Sequence, residues 1–307
     1  MLNEEESRLA LSEPAKGSAK VVEGSSGVDP VSVGSPETGM FTHFMDGMQR
    51  VHTPLTVGYI PFVYGYVGAV IRSRGLDRKM RTHSHDSSEA IYCPVRYADV
   101  DWLSGKDVKI IDTSDEIING NDNLLAFVNN ANHKVSAQRE SLEKGLVSDW
   151  LRAYEPSGNW LLVDGSLCGD YHNYSEPKIV GVIKSHQTQY FAVEEQQRIV
   201  GMQTGCRSRI FIPQGRKRPD VYSWYLRMRP NEGRDAYFGL IRVEAAACDR
   251  TIEIADDISR RLLAERTPLS LPDSRWDKLI YPIHDCELFL RAKAPSWAML
   301  ESMLLGR

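Results

Sequence analysis

The sequence predicts an α/β protein in which strands and helices alternate, and three observations carry that class. Short apolar runs rich in β-branched and aromatic residues recur at residues 40–45, 55–71, 108–112, 160–163, 178–184 and 237–244. Between the third and fourth of these, residues 132–154 place Leu142, Leu146, Trp150 and Leu151 at mostly four-residue spacing among Glu, Lys, Gln and Arg, the pattern of an amphipathic helix. No internal repeat is present, which excludes a solenoid.

Taken in order, residues 1–38 are rich in Ser, Gly, Glu and Pro and carry only scattered Val and Leu. They are expected to form a flexible N-terminal arm, with residues 39–307 as one domain. The first strand is expected to stop at Asp46-Gly47. The run at 55–71 contains Gly58, Pro61, Gly65 and Gly68 and is expected to bend or break. Gly145 weakens the central helix slightly, and Pro156 with Gly158 ends it. The next strand runs into Asp164-Gly165-Ser166-Leu167. Residues 256–265 and 286–305 read as helices, the second interrupted at Pro295.

The composition of 307 residues, 42% hydrophobic and 25% charged, is that of a globular protein able to bury a full core. No apolar run approaches the roughly 20 residues of a membrane-spanning helix. The acidic start, Glu4-Glu5-Glu6, is unlike a signal peptide, so a cytoplasmic protein without membrane association is expected. Cys93, Cys168, Cys206, Cys248 and Cys286 are scattered without a C-x-x-C pair and suggest neither a disulfide framework nor a zinc knuckle. A net charge of -4 does not favour indiscriminate attraction to phosphate, so any nucleic-acid contact has to be local.

The chemistry-bearing residues are carboxylates. Asp46-Gly47 and Asp164-Gly165 are the only Asp-Gly pairs, and each stands at the end of an apolar strand-like run. Taken singly, such a pair is most often a turn. If the two strands are neighbours, however, both acids share one sheet edge and can hold a divalent ion over a phosphodiester. The central helix offers Glu140 and Glu143. Glu143 is preferred because the 21 positions to Asp164 (164 minus 143) accommodate helix, return loop and strand. Tyr281-Pro282-Ile283-His284-Asp285 offers a fourth group. Arginines and lysines interleaved with aromatic residues at 206–234 suit a channel for a nucleic-acid strand, with Arg216, Lys217, Arg218, Trp224, Arg227 and Arg229 as its expected contacts.

These residues resemble the NurA nucleases. The resemblance rests on Phe44-Met45-Asp46-Gly47, Arg139-Glu140-Ser141-Leu142-Glu143 and Leu162-Val163-Asp164-Gly165-Ser166-Leu167, the last being the most specific. It extends to residues 179–185, to Arg242-Val243-Glu244 and to Tyr281-Pro282. It implies an RNase H-like mixed sheet flanked by helices, acting as a DNA nuclease with a HerA-type hexameric ATPase and as a homodimer. It further implies Mn²⁺ or Mg²⁺ on Asp46, Glu143 and Asp164, with His284 or Asp285 completing the set and Lys184 contacting the phosphate. Met48 stands where the family usually has Ser, and Phe289 where it has a late histidine. A catalytically impaired partner of an ATPase and an RNA-directed RNase H-like enzyme are the competing readings.

Overall fold

The computed structural model describes residues 15–24, 27–103, 105–106, 108–114, 123–154, 158–167, 177–214, 221–266 and 280–298. The described residues open with three short strands, β1 (Ala15–Lys16), β2 (Ser18–Val21) and β3 (Val31–Ser32). Three long strands follow, β4 (Phe41–Val57), β5 (Ile60–Arg74) and β6 (Met80–Cys93), and then β7 (Ile110–Asp112), helix α1 (Leu124–Tyr154) and β8 (Trp160–Asp164). The remainder comprises β9 (Ile179–Ile183), β10 (Thr188–Gln189), α2 (Val193–Val200), β11 (Cys206–Arg207), β12 (Phe211–Gln214), β13 (Val221–Arg227), β14 (Leu240–Ala246), α3 (Asp249–Glu265) and α4 (Tyr281–Lys293). These elements form two compact units, Met1–Phe41 with Gly165–Tyr281 and Thr42–Asp164 with Pro282–Arg307.

In the unit built from Thr42–Asp164 and Pro282–Arg307, the strand order is β8-β4-β5-β6-β7. β4, β5 and β6 are antiparallel neighbours and β7 runs parallel to β6, so the sheet is mixed. The run at 55–71 breaks, as expected, at Gly58-Tyr59, where a two-residue turn joins Val57 to its partner Ile60. Val63, Val67, Ala90 and Tyr92 pack with Ala131 and Val135 of α1 on one face. Phe62, Tyr64, Tyr66 and Ile91 point to the other face, where Ala294 and Trp297, just beyond α4, cover them. Helices thus flank the mixed sheet, in agreement with the α/β class read from the sequence. β6 escaped that reading because its outer half, from Met80 to Glu89, is polar and largely exposed, without the apolar alternation that marks a strand.

In the other unit the order is β2-β12-β13-β14-β9, with β11 pairing β13 and β3. α3 buries Ile254, Ala255, Ile258, Leu262 and Leu263, and its Ser259 Oγ accepts a hydrogen bond from Trp224 Nε1 of β13 at 3.0 Å. The segment expected to be a flexible arm is, from Ala15 onward, part of this unit. β2 pairs with β12, Val28 and Val33 are buried, and Glu23 takes both terminal nitrogens of Arg207 at 2.7 Å. Its low density of apolar residues hid strands held mainly by pairing and by that ion pair. Residues 1–14 lie outside the described residues.

Candidate metal centre

Asp46-Gly47 does not turn the chain. β4 runs straight through it, with Asp46 opposite Val70 and Gly47 opposite Ala69 of β5, and continues to Val57. The glycine serves a different purpose: the space its missing Cβ leaves is filled by Glu143 of α1, whose Cγ lies 3.0 Å from the ideal Cβ position with the carboxylate closer still. Successive strand residues face opposite sides, so with Gly47 turned to α1, Asp46 faces away from it.

On that far side lies α4. Cys286 Sγ donates to Phe44 O at 3.3 Å, and Leu290 rests against Gly68, 3.3 Å from where its Cβ would stand. Burial, with the negative charges of Asp46 and Asp285 nearby, pushes the Cys286 thiol far up. The helix thereby brings Glu287 to Asp46. β8 completes the arrangement. Thr42 Oγ1 lies 3.4 Å from Trp160 O, toward which it donates, at the start of the shared edge, and four residues further along each strand Asp164 meets Asp46. The two strands therefore run in the same direction.

Asp46, Asp164 and Glu287 each place one carboxylate oxygen within 4.8 Å of the other two. Asp46 is buried and the others are half-buried. Gly47 N–H donates to Asp46 Oδ1 at 2.8 Å and helps to fix that carboxylate. Glu287 Oε2 lies 3.4 Å from His284 Nδ1 and 3.7 Å from Arg291 Nη2, one helical turn away on either side. Three hard oxygen donors from separate elements are the ligand type that Mg²⁺ or Mn²⁺ takes, and Asp46, Asp164 and Glu287 would hold such an ion.

The other expected site residues fall in several places. Glu143, rather than Glu140, is the glutamate that reaches β4. It is ion-paired with Arg139, which also donates from Nε to Gln49 Oε1 at 3.2 Å. Burial pushes the Glu143 carboxyl up, Arg139 opposes the shift, and Glu140 and Asp164 add to it. Asp285, expected as a ligand, is instead occupied by Arg72, whose Nε donates to its Oδ2 at 2.7 Å. The helical rotation that turns Glu287 to Asp46 turns Asp285 elsewhere. His284 stands beside Glu287 and outside the acid group. Lys184 directly follows β9 in the other unit and is half-buried.

Three of the six expected nucleic-acid contacts lie among the described residues. Trp224 is 0% exposed and stacks on no solvent-borne base, because its indole belongs to the core beneath α3. Arg227 is likewise 0% exposed, and it donates to the carbonyls of Val200, Ala236 and Phe238. Arg229 donates to Arg266 O. These arginines terminate backbone carbonyls inside the fold. Arg216, Lys217 and Arg218 lie outside the described residues.

Glu287 is the site residue that sequence reasoning missed. Its signal was present but weak: it follows His284 by three positions, and so shares a helical face with a residue already singled out.

No protein-family model and no curated protein matches the chain. Among solved structures it is similar to the catalytic domain of human endonuclease V, with a TM-score of 0.33 at 15% identity over 82% of each chain. It is also similar to Ciona intestinalis endonuclease V in complex with a 24mer DNA containing an inosine followed by a ribo-adenosine, with a TM-score of 0.31 at 13% identity over 82% of this chain and 85% of that one. Likeness at this level leaves the chemistry of the acid group to its own residues.

Proposed function

We propose that the protein is a metal-dependent phosphodiesterase that cuts DNA. The observation that carries this reading is the convergence of Asp46, Asp164 and Glu287 from β4, β8 and α4. A divalent ion bound there supplies activation of a water and neutralisation of the charge that builds on the phosphate. The chain's own residues do the rest. Asp46, held by the Gly47 N–H, and Asp164, at the end of β8, set the position of the ion. Glu143, on the α1 side of β4, fills the space over Gly47 and braces the strand that carries Asp46. His284, beside Glu287, is placed to give a proton to the leaving oxygen.

DNA as substrate, a HerA-type ATPase partner and a homodimer come from the sequence resemblance. The test is a cleavage assay with Mn²⁺ or Mg²⁺ on DNA, RNA and hybrid strands, comparing wild type with Asp164→Asn. Cleavage of DNA by wild type alone supports the reading. Preference for RNA or hybrid strands moves it to an RNase H-like enzyme. Equal inactivity of both proteins leaves a non-catalytic partner subunit.

A further inference from the structure

We propose that Arg72 is a positioning residue for Glu287, a role that rests on the reading of the acid group as a metal centre. All the groups involved belong to the unit of Thr42–Asp164 and Pro282–Arg307. Arg72 lies on β5 opposite Phe44, two positions along from Val70, the partner of Asp46, and so on the face that carries Asp46. Its Nε donates to Asp285 Oδ2 at 2.7 Å, and its guanidinium carbon stands 5.2 Å from the centre of the Phe289 ring, so one side chain grips α4 at two places. Behind it, Nη1 donates to Thr82 Oγ1 at 2.5 Å and Nη2 to Met80 O at 3.4 Å, both on β6. The Arg72 and Asp285 side chains are 14% and 24% exposed, which spares the pair most of the screening by salt.

The spacing along α4 shows what this grip decides. Each residue advances about 100° around the helix, so Asp285 and Phe289 share one flank and Glu287 stands about 160° from each, on the other. Between the flanks lies the face that rests on the sheet, where Cys286 donates to Phe44 O and Leu290 sits over Gly68. A helix resting on that narrow ridge alone can roll about its axis, and a roll carries the Glu287 carboxylate away from Asp46 and Asp164. Arg72 holds the flank opposite the acids and stops the roll. Asp46 and Asp164 sit on neighbouring strands of one sheet, whereas Glu287 depends on how α4 is docked.

Groups that orient a ligand without touching the ion change metal affinity by about 10–100-fold when removed. Charge alone acts in the opposite direction, because deleting a cation on the face that carries the acids makes that face draw a divalent ion more strongly. The experiment is calorimetric titration of the full chain with Mn²⁺, with thermal unfolding of each variant. Arg72→Gln deletes both the grip and the charge. Arg72→Lys keeps the charge and loses the planar fork. Arg72→Gln combined with Asp285→Asn removes one charge of each sign and leaves neither group charged and unpaired. Val135→Ala is the control, because it trims an α1 side chain buried against the opposite face of the same sheet and lowers stability without touching α4.

Mn²⁺ affinity is expected to fall by about 10-fold in Arg72→Gln and in the double variant, and less in Arg72→Lys, while Val135→Ala binds as wild type. Folded Arg72→Gln or double variant that binds Mn²⁺ as tightly as wild type, or more tightly, overturns the proposal. An equal loss of affinity in Val135→Ala does so too, since it makes the effect one of general stability. Should Arg72→Gln fail to fold, Arg72→Lys and the double variant decide by the same criterion. Wild type that binds no Mn²⁺ overturns the reading of the acid group itself and the positioning role with it, and wild-type titration alone separates that failure from the others.

Discussion

Glu143 of α1 occupies the space that a Cβ on Gly47 of β4 would need. A helix carboxylate and a strand backbone thus come into contact one residue from Asp46. Gly47→Ala is expected to push Glu143 out of place, at a cost of about 1–3 kcal/mol from overpacking. Cleavage activity should fall about 10-fold, because a shift of β4 at Gly47 moves the adjacent Asp46 within the acid group. Thermal unfolding and turnover measured on the same preparation check both effects.

Three carboxylates whose oxygens approach within 4.8 Å repel one another when no cation lies between them. Mn²⁺ at about 100 times its dissociation constant should stabilise wild type by about 2.7 kcal/mol, read as a rise in Tm. Asp46→Asn relieves the repulsion and retains an acceptor for the Gly47 N–H. Its metal-free form should therefore be more stable than wild type by up to about 1 kcal/mol, while its Mn²⁺-dependent rise in Tm disappears.

His43 supplies a pH dependence of its own. Burial, reinforced by the neighbouring His83, lowers its pKa to about 4, and its ring packs edge-on against Trp150 at 5.5 Å. The folded state thus binds the proton less readily than the unfolded chain. The associated stability is present in full above the ordinary histidine range near 6.5 and is lost as the pH falls toward 4. Between pH 7 and pH 5 the loss is about 2 kcal/mol. Urea unfolding at the two pH values should show it in wild type, and His43→Gln should remove it.

Trp224 and Arg227 belong to the interior. Trp224→Phe loses the hydrogen bond to Ser259 and part of a fully buried ring, and should destabilise the protein by about 1–3 kcal/mol. Affinity of the folded variant for a DNA strand, measured by fluorescence anisotropy, should stay at the wild-type value.

The legible part of the fold was the part with local chemistry. α1 announced itself through its leucine spacing, β8 and β9 through their apolar runs, and Asp164 through the strand that ends on it. Asp46 was found for a reason that does not hold, since its glycine makes room for a side chain from a helix 96 positions later (143 minus 47), which no local pattern records. Glu287 had no motif of its own: only the docking of α4 through Cys286 and Leu290 distinguishes it from Asp285 two positions before. The misreading at 221–229 has the same origin. Arginine and tryptophan in a polar-looking segment carry the same letters whether they face a phosphate or cap buried carbonyls, and the neighbours that decide, Ser259 and Val200, lie far off in sequence.

The acids at positions 46, 164 and 287 enter the world in that order during synthesis. A ribosome that has not yet released α4 carries a chain with two of the three, so the acid group is assembled only once α4 has emerged. Any product shortened before residue 287, by premature termination or by a protease, lacks one of the three acids.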